Sequence, residues 1–146
     1  MVPSFYFAVL WEDKKGRVLI RFPQHPLVHT FGRDLAEATA HAKEALNLAL
    51  EADFERGYRL PPPSRPRLAK GERLLSVPLE PNIRTAYLLR EWREEAGLTQ
   101  TQLALRLGIS YQAYQRMERP GRSNLTVATL DRIAQALGHQ LLIAVQ

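Results

Sequence analysis

The chain contains no cysteine among its 146 residues. Disulfide bonds and thiolate metal sites are therefore excluded. Long apolar runs are also missing: the longest, Phe5 to Trp11, is strand-sized and far short of the roughly 20 residues that span a bilayer. The chain does not begin with a basic segment and a long apolar core, so no secretory signal is expected. These absences predict a cytoplasmic protein with no membrane partner.

Catalytic signatures are scarce as well. The histidines show no HxH or HExxH spacing, and no glycine-rich phosphate loop occurs. A polar turn or a helix cap accounts for the acidic residues that could bind metal in the first half of the chain: Glu12, Asp13, Asp34 and Glu37. The sequence therefore predicts a non-enzymatic protein without a cofactor or metal. A metal-dependent nuclease, which would need converging carboxylates, remains a third hypothesis.

Proline and charge divide the chain into two parts. Six of the ten prolines fall between residues 60 and 82, where they remove backbone donors and disfavour helix. We therefore expect one domain at residues 1–80, including a connector at 60–80, and a second at 81–146. Residues 1–60 have no net charge, whereas residues 81–146 hold eight basic and five acidic residues. The basic second half permits a polyanionic partner.

The hydrophobic pattern of the first part predicts a β-β-β-α-β order. "FYFAVLW" at 5–11 is typical of a strand covered on both faces, and "RVLIRF" at 17–22 alternates with period two. A third short strand is predicted at 28–31. Asp34 and Glu37 form a capping box that begins a helix, which ends near Gly57. "RLLSVPL" predicts a strand that returns to the first sheet.

The second part has helical periodicity throughout. Helices are predicted at residues 81–96, 100–107, 111–118 and 127–137, and a short closing strand at 141–145. The predicted fold class is α+β, with a small β-β-β-α-β domain followed by an all-α domain that ends in a short strand.

The segment from residue 98 to residue 121, "LTQTQLALRLGISYQAYQRMERPG", has the spacing of a helix–turn–helix. Ala104 falls where the two helices cross, since a larger side chain would separate them. Gly108 occupies the turn and Ser110 caps the second helix. Tyr114 and Met117 are predicted to point inward.

The outer face of the second helix predicts contact with DNA. Tyr111, Gln112, Gln115 and Arg116 share this face, and residues 99–117 contain no acidic residue. Gln and Arg offer paired hydrogen-bonding groups that match base edges in the major groove. Thr99 and Gln100 begin the preceding helix, where free N–H groups can hold a phosphate. An ordinary helical hairpin with a solvated polar face is the alternative.

This motif resembles the phage-repressor, or Xre, class of helix–turn–helix proteins. The resemblance implies a domain that works as a dimer on a two-fold operator. It implies that Gln100 contacts a phosphate. It also implies contacts to DNA bases or to the DNA backbone from five further residues: Ser110, Tyr111, Gln112, Gln115 and Arg116. The loop "RPGRSN" departs from the class pattern, and its Arg119 and Arg122 are either phosphate contacts or simple loop charge.

The first part resembles the HicB antitoxin domain over roughly residues 5–80. The matching residues, in order, are Ala8, Asp13, Gly16, Phe22-Pro23, Pro26, Thr30, Gly32, Glu37-Ala38, Ala42, Glu44-Ala45-Leu46 and "LPPPS" at 60–64. The resemblance implies a partial RNase H-like fold without catalysis. It also implies binding of a HicA toxin, an mRNA-cutting RNase with a double-stranded-RNA-binding-like fold.

One segment departs from the HicB pattern. "FPQHPLV" has Gln24 where an acidic residue is common and Leu27 where glycine is common. The segment is nevertheless a candidate edge for the toxin, with contacts expected at Phe22, Pro23, Gln24, His25 and Pro26.

Two functional hypotheses follow. In the first, the protein is an antitoxin of a type II HicAB system that blocks a HicA toxin and represses its own operon. It would bind operator DNA as a homodimer or a higher even-numbered oligomer, and associate with the nucleoid when bound. In the second, it is a stand-alone helix–turn–helix regulator whose first domain senses a ligand or only oligomerises.

Overall fold

The computed structural model describes residues 2–121 and 124–145, which form an α+β protein with two compact units at residues 1–84 and 85–146. The elements of the first unit are β1 (Phe5–Glu12), β2 (Val18–Phe22), β3 (His25–Gly32), α1 (Leu35–Glu55) and β4 (Arg73–Pro78). They are followed by α2 (Pro81–Glu95), α3 (Gln100–Leu107), α4 (Tyr111–Met117) and α5 (Val127–Ala136). The predicted α+β class and the predicted β-β-β-α-β order of the first part are confirmed.

The four strands form one antiparallel sheet in the order β3-β2-β1-β4. The predicted return of β4 is confirmed, because Tyr6 of β1 pairs with Val77 of β4. The period-two alternation of β2 places one side of the strand in the core, as predicted, and Val18, Ile20 and Phe22 are all buried. The strand β3 starts at residue 25, earlier than the predicted residue 28. It can include Pro26 because it lies at the edge of the sheet.

The helix α1 packs against this sheet. The Asp34 side chain accepts from the Glu37 backbone N–H at 2.8 Å, so the predicted cap is present. The buried side of α1 carries small and apolar residues at helical spacing: Ala38, Ala42, Leu46, Leu50 and Phe54. Gly32 is needed where β3 meets α1, since a Cβ there would lie 2.3 Å from the Ala38 backbone nitrogen.

The second unit is built from helices around a small apolar core. The buried members of this core are Leu89, Leu103, Ala104, Tyr114, Ile133 and Leu137. Partly buried side chains, including Trp92 and Ile109, pack around it. The predicted helices are confirmed to within about a residue at each end.

The short closing strand predicted at residues 141–145 is wrong. These residues have no regular secondary structure, and Leu142, Ile143 and Val145 keep 87%, 64% and 97% of their surface exposed. A strand needs a neighbouring strand to accept and donate its backbone hydrogen bonds. The described residues of the second unit form helices and loops, and none of them forms a strand that could pair with residues 141–145.

Candidate nucleic-acid interface and partner surface

The helices α3 and α4 are joined by a tight, well-capped turn. Gly108 ends α3 in the left-handed region (φ 68°, ψ 31°), and the Ser110 hydroxyl accepts from the Ala113 N–H at 3.1 Å. Ala104 is 2% exposed in the core, and Tyr114 is fully buried. The predicted roles of these four residues in the helix–turn–helix are therefore confirmed.

The exposed side of α4 brings together the side chains predicted to read DNA. Gln112, Gln115, Arg116 and Arg119 line one open surface depression. Gln115 is held in place because its amide Nε2 donates to the Tyr111 hydroxyl at 3.1 Å. Tyr111 keeps 40% of its surface exposed. We call this set, Tyr111, Gln112, Gln115, Arg116 and Arg119, the α4 face.

The chemistry of the α4 face suits a nucleic acid. An Arg guanidinium can donate two parallel hydrogen bonds to guanine, and a Gln amide can both donate to and accept from adenine. No acidic residue lies between residues 99 and 117 to repel phosphates. The face therefore combines positive charge with hydrogen-bonding groups that discriminate between bases.

A buried ion pair supports the α4 face from beneath. Glu118 is fully buried, and the Arg93 guanidinium donates to its two carboxylate oxygens at 2.8 and 2.7 Å. Arg93 also donates to the Leu98 carbonyl at 2.8 Å. The hydrogen bond to Glu118 raises the pKa of Arg93, and burial raises the pKa of Tyr114 well above its usual range. Arg93 is therefore charged and Tyr114 neutral at any physiological pH.

This ion pair also positions the start of α3. The Gln100 amide donates to Glu118 at 3.3 Å, so α2, α3 and the end of α4 meet at one carboxylate. This pair was not predicted from the sequence. One signal was present: Glu118 is the first acidic residue after Glu95, and it follows the inward-facing Tyr114 by one helical turn.

The N-terminal end of α3, which was predicted to contact a phosphate, is closed by a capping box. Thr99 is its N-cap, and its hydroxyl accepts from the Gln102 N–H at 3.1 Å while Gln102 accepts from the Thr99 N–H at 2.9 Å. The capping box occupies the Thr99 N–H and one lone pair of its hydroxyl, so the hydroxyl proton is the donor that Thr99 can still offer to an anion. Arg122, the other predicted phosphate contact, lies outside the described residues.

The segment predicted to face the toxin is only partly on the surface. Phe22 is fully buried and His25 is 9% exposed, so these two side chains offer a partner little or no surface. Phe22 is buried because it belongs to the inward-facing alternation of β2. Pro23, Gln24 and Pro26 keep exposed surface.

The proline-rich connector is tied to the same end of the sheet. The Tyr6 hydroxyl donates to the Pro61 carbonyl at 2.6 Å, and the Gln24 amide donates to the Ser64 hydroxyl at 3.0 Å. Residues 61–64, which were predicted only as part of a connector, are thus part of the surface around Gln24.

His25 is buried beneath this surface. Its ring meets the Tyr6 ring edge-on, with centroids 5.2 Å apart. Burial lowers the pKa of His25, and the Asp53 carboxylate, 3.9 Å from its Nδ1, opposes the shift. The neutral imidazole is therefore the form that the folded first unit prefers.

No candidate metal centre is found in the part of the chain that the structure describes, where no three His, Asp or Glu side chains cluster. Among the described residues, there is also no helix long and apolar enough to cross a membrane.

Known proteins match both halves of the chain. A helix–turn–helix family model matches residues 89–140. Antitoxin HicB 1 of Photorhabdus laumondii is 29% identical over 141 residues, which cover 97% of this chain and 86% of the relative. Antitoxin HicB of Escherichia coli (strain K12) is 31% identical over 140 residues, or 93% and 95% of the two chains. A chain of a solved HicA3 and HicB3 toxin-antitoxin complex is 24% identical, with a TM-score of 0.44 over 53% of this chain and 99% of that one.

Proposed function

The chain belongs to the HicB family of antitoxins and carries a helix–turn–helix, and from this premise we propose that it has two linked activities. The first unit binds a HicA-type toxin RNase and blocks it. The second unit binds operator DNA in a sequence-specific manner, so that the protein represses its own operon at the nucleoid. The observation that carries the DNA-binding half is the acid-free α4 face held by the Arg93–Glu118 ion pair.

Sequence-specific binding of DNA is supported by two separate sets of groups on the second unit, one suited to base edges and one suited to a phosphate. The α4 face offers Gln112 and Arg116, both exposed, to base edges. The start of α3 offers a phosphate its first-turn N–H groups and the amide N–H of Gln100 that does not donate to Glu118, and this contact would set the register of α4 on the duplex. Because helix–turn–helix proteins bind paired half-sites, the active form is a homodimer or a higher even-numbered oligomer.

The DNA proposal is tested with Arg116→Ala and Gln112→Ala. Each should weaken binding to the promoter fragment by about 1–3 kcal/mol and relax base preference, because each removes a base-reading group. Titrated gel shifts at fixed salt measure this. Gln135→Ala is the matched control, since Gln135 is also exposed but lies on α5 and bonds to Asp131. If both α4 variants bind the promoter with unchanged affinity, α4 does not contact the bases as proposed.

The toxin proposal is supported by family membership and is tested by co-purification. The product of the neighbouring gene, co-expressed with a tag, should carry this protein through a column and lose its RNA-cleaving activity. If the neighbouring product does not bind this protein and does not cleave RNA, while this protein still shifts promoter DNA, the protein is a stand-alone regulator.

A further inference from the structure

In the described first unit, α1 covers one face of the sheet and no helix covers the other. Gly32 faces α1, since a Cβ there would meet the Ala38 backbone, and it pairs with Val18 of β2. The side of β2 that carries Val18 therefore points toward α1. The alternate residues of each strand lie on the opposite face. We call this the open face, and its large side chains include Phe5, Phe7, Trp11, Leu19, Arg21 and Phe31.

Aromatic rings lie at the surface of the open face. Phe5 and Phe31 keep 36% and 55% of their surface exposed, and Phe7 and Trp11 are partly exposed. Trp11 pairs with Leu19, which pairs with Phe31, so the two rings stand two strand spacings, or about 10 Å, apart. An open depression of about 580 Å³ lies between them. It has room for a planar group, since small-ligand sites measure roughly 300–1,000 Å³.

An arginine accompanies each of these two rings. The Arg17 guanidinium lies 5.4 Å from the centroid of Phe31, and that of Arg21 lies 5.9 Å from the centroid of Trp11. Both arginines are held by carboxylates, and Glu72 accepts from Arg21 at 3.0 Å. Proteins stack unpaired bases on aromatic rings and on guanidinium planes. The open face offers both kinds of surface.

The positive charge of the chain is concentrated next to this face. Residues 56–73, which we call the basic run, hold six basic residues and one acidic residue, whereas the rest of the chain holds fourteen of each. The acid is Glu72, which is already bonded to Arg21. Four exposed cations of the basic run pair with no carboxylate of the described residues: Arg65, Arg67, Lys70 and Arg73. Their charge is available to phosphates.

The basic run is fixed to the first unit rather than tethered loosely. The Gln24 amide donates to the Ser64 hydroxyl at 3.0 Å, and prolines stiffen the chain on both sides of Ser64. The Ala69 N–H donates to the Glu72 carboxylate at 2.8 Å, which closes a turn. Because Glu72 also bonds to Arg21, this turn lies at the border of the open face.

We propose that the open face binds single-stranded RNA, whose unpaired bases stack on Trp11 and Phe31 while its phosphates contact the basic run. Bases in a duplex stack on one another and cannot reach the rings, so a single strand is the form that fits. The choice of RNA over single-stranded DNA rests on the proposed function, because the partner proposed for the first unit is an RNase.

Charge favours a polyanion over a protein as the occupant. A second copy of this chain carries the same net charge of +5 and would meet the basic run with like charge. A toxin that cleaves RNA has a positive RNA-binding surface, so that surface too would be repelled. Phosphates are attracted to the same cations.

The base contacts are tested by fluorescence anisotropy of a labelled oligouridine RNA, titrated with the full-length protein at fixed salt. Phe31→Ala should weaken binding at least about fivefold, because a base loses its stacking partner. Leu48→Ala is the matched control, since Leu48 is an exposed apolar residue on α1, and it should bind as wild type does. Circular dichroism checks that both variants are folded.

Two outcomes of this titration would overturn the proposal. The first is an affinity of Phe31→Ala equal to that of wild type, which would mean that no base stacks on this ring. The second is equal or tighter binding of oligothymidine DNA of the same length, which would exclude RNA as the specific occupant.

A second measurement locates the RNA on wild-type side chains of the open face. In a Trp92→Phe background Trp11 is the remaining tryptophan, and a base stacked on it should quench its fluorescence in proportion to the RNA bound. Binding without quenching would place the RNA elsewhere, such as on the α4 face, and would sink the proposal.

The phosphate contacts are tested through salt. Arg65→Ala, Arg67→Ala and Lys70→Ala combined should flatten the slope of log affinity against log salt by about 2, at roughly 0.7 per phosphate contact on a single strand. Arg33→Ala with Lys43→Ala is the control, because both of these cations already pair with carboxylates. A slope that stays at the wild-type value in the triple variant would contradict the role of the basic run.

These measurements use neither promoter DNA nor toxin, so their failure is distinct from failure of the proposed function. If oligouridine binds the open face while no toxin co-purifies, the RNA site stands and the toxin proposal is wrong. If Phe31→Ala keeps its RNA affinity but loses toxin co-purification, the open face is a toxin surface and the RNA site is wrong.

Discussion

At the scale of single residues, the least expected feature is the burial of two opposite charges beneath the α4 face. Taking a carboxylate and a guanidinium out of water costs several kcal/mol each, and their attraction and hydrogen bonds offset that cost only while both are present. Arg93 and Glu118 satisfy this condition, with 12% and 0% of their side chains exposed. The pair therefore contributes more to the orientation of α4 than to net stability.

Loss of one member of the pair should be far more costly than loss of both. We expect Glu118→Ala to lower the free energy of unfolding of the second unit by about 3–5 kcal/mol, because Arg93 is left buried and unpaired. Urea titration of a Trp11→Phe background measures this, since the other tryptophan, Trp92, packs on the core of the second unit.

Two variants control this prediction. Glu95→Ala, at an exposed position of α2, should change the unfolding free energy by less than about 0.5 kcal/mol. Arg93→Leu with Glu118→Leu should recover most of the loss. A double variant as unstable as Glu118→Ala would mean that the cost comes from packing rather than from the unpaired charge.

A second residue-scale prediction concerns pH. The folded pKa of His25 is below its ordinary value of 6.5, so the unfolded chain binds the proton more tightly. The stability of the first unit is therefore highest above about pH 6.5 and is lost as pH falls below it, until the folded His25 is itself protonated. Thermal unfolding followed by Trp11 fluorescence, in a Trp92→Phe background, measures the loss.

His25→Gln should remove this part of the pH dependence, because glutamine does not titrate. His29→Gln, at an exposed position of β3, is the matched control and should leave the profile as in wild type. An unchanged slope between pH 7 and pH 5 in His25→Gln would contradict the role given to burial.

At the scale of elements, the angle between α3 and α4 is the feature on which the proposed reading of DNA depends. Three local devices meet at the turn: a left-handed Gly108, the Ser110 cap and the small Ala104 at the crossing. Each is a property of one residue, yet together they determine how the α4 face is presented relative to the start of α3.

The turn can be tested through Gly108. Nothing lies within 4 Å of a Cβ built at this position, so Gly108→Ala adds conformational strain without a clash. We expect a loss of about 1–2 kcal/mol in unfolding free energy, measured by urea titration followed by Trp92. Gly108→Asn should cost less, since asparagine tolerates the left-handed region. Equal losses for the two variants would argue against strain as the cause.

At the scale of the whole molecule, the two compact units suggest separable activities. Residues 1–84 contain the sheet, α1 and the connector, and residues 85–146 contain the helix–turn–helix. We expect residues 1–84 alone to neutralise the toxin but to lose promoter repression, because the α4 face is absent. Growth rescue on toxin induction and a promoter reporter measure the two activities. Rescue that requires the second unit would contradict this division.

The sequence alone determined every element whose signal is local. Period-two alternation in residues 17–22, the Asp34 helix cap and the Gly108–Ser110 turn each depend on neighbours within a few residues, so they could be predicted and are confirmed. The helix–turn–helix and the grouping of its outward side chains follow from the same local spacing.

Only the tertiary structure decided which polar and apolar groups meet across the chain. Glu118 is buried because Arg93, 25 residues earlier, comes to lie against it, and Gln24 joins Ser64, 40 residues later. Residues 141–145 have the composition of a strand, but backbone hydrogen bonding requires a partner that the described second unit does not provide. Propensity acts through neighbours along the chain, whereas burial and pairing depend on what the fold brings alongside.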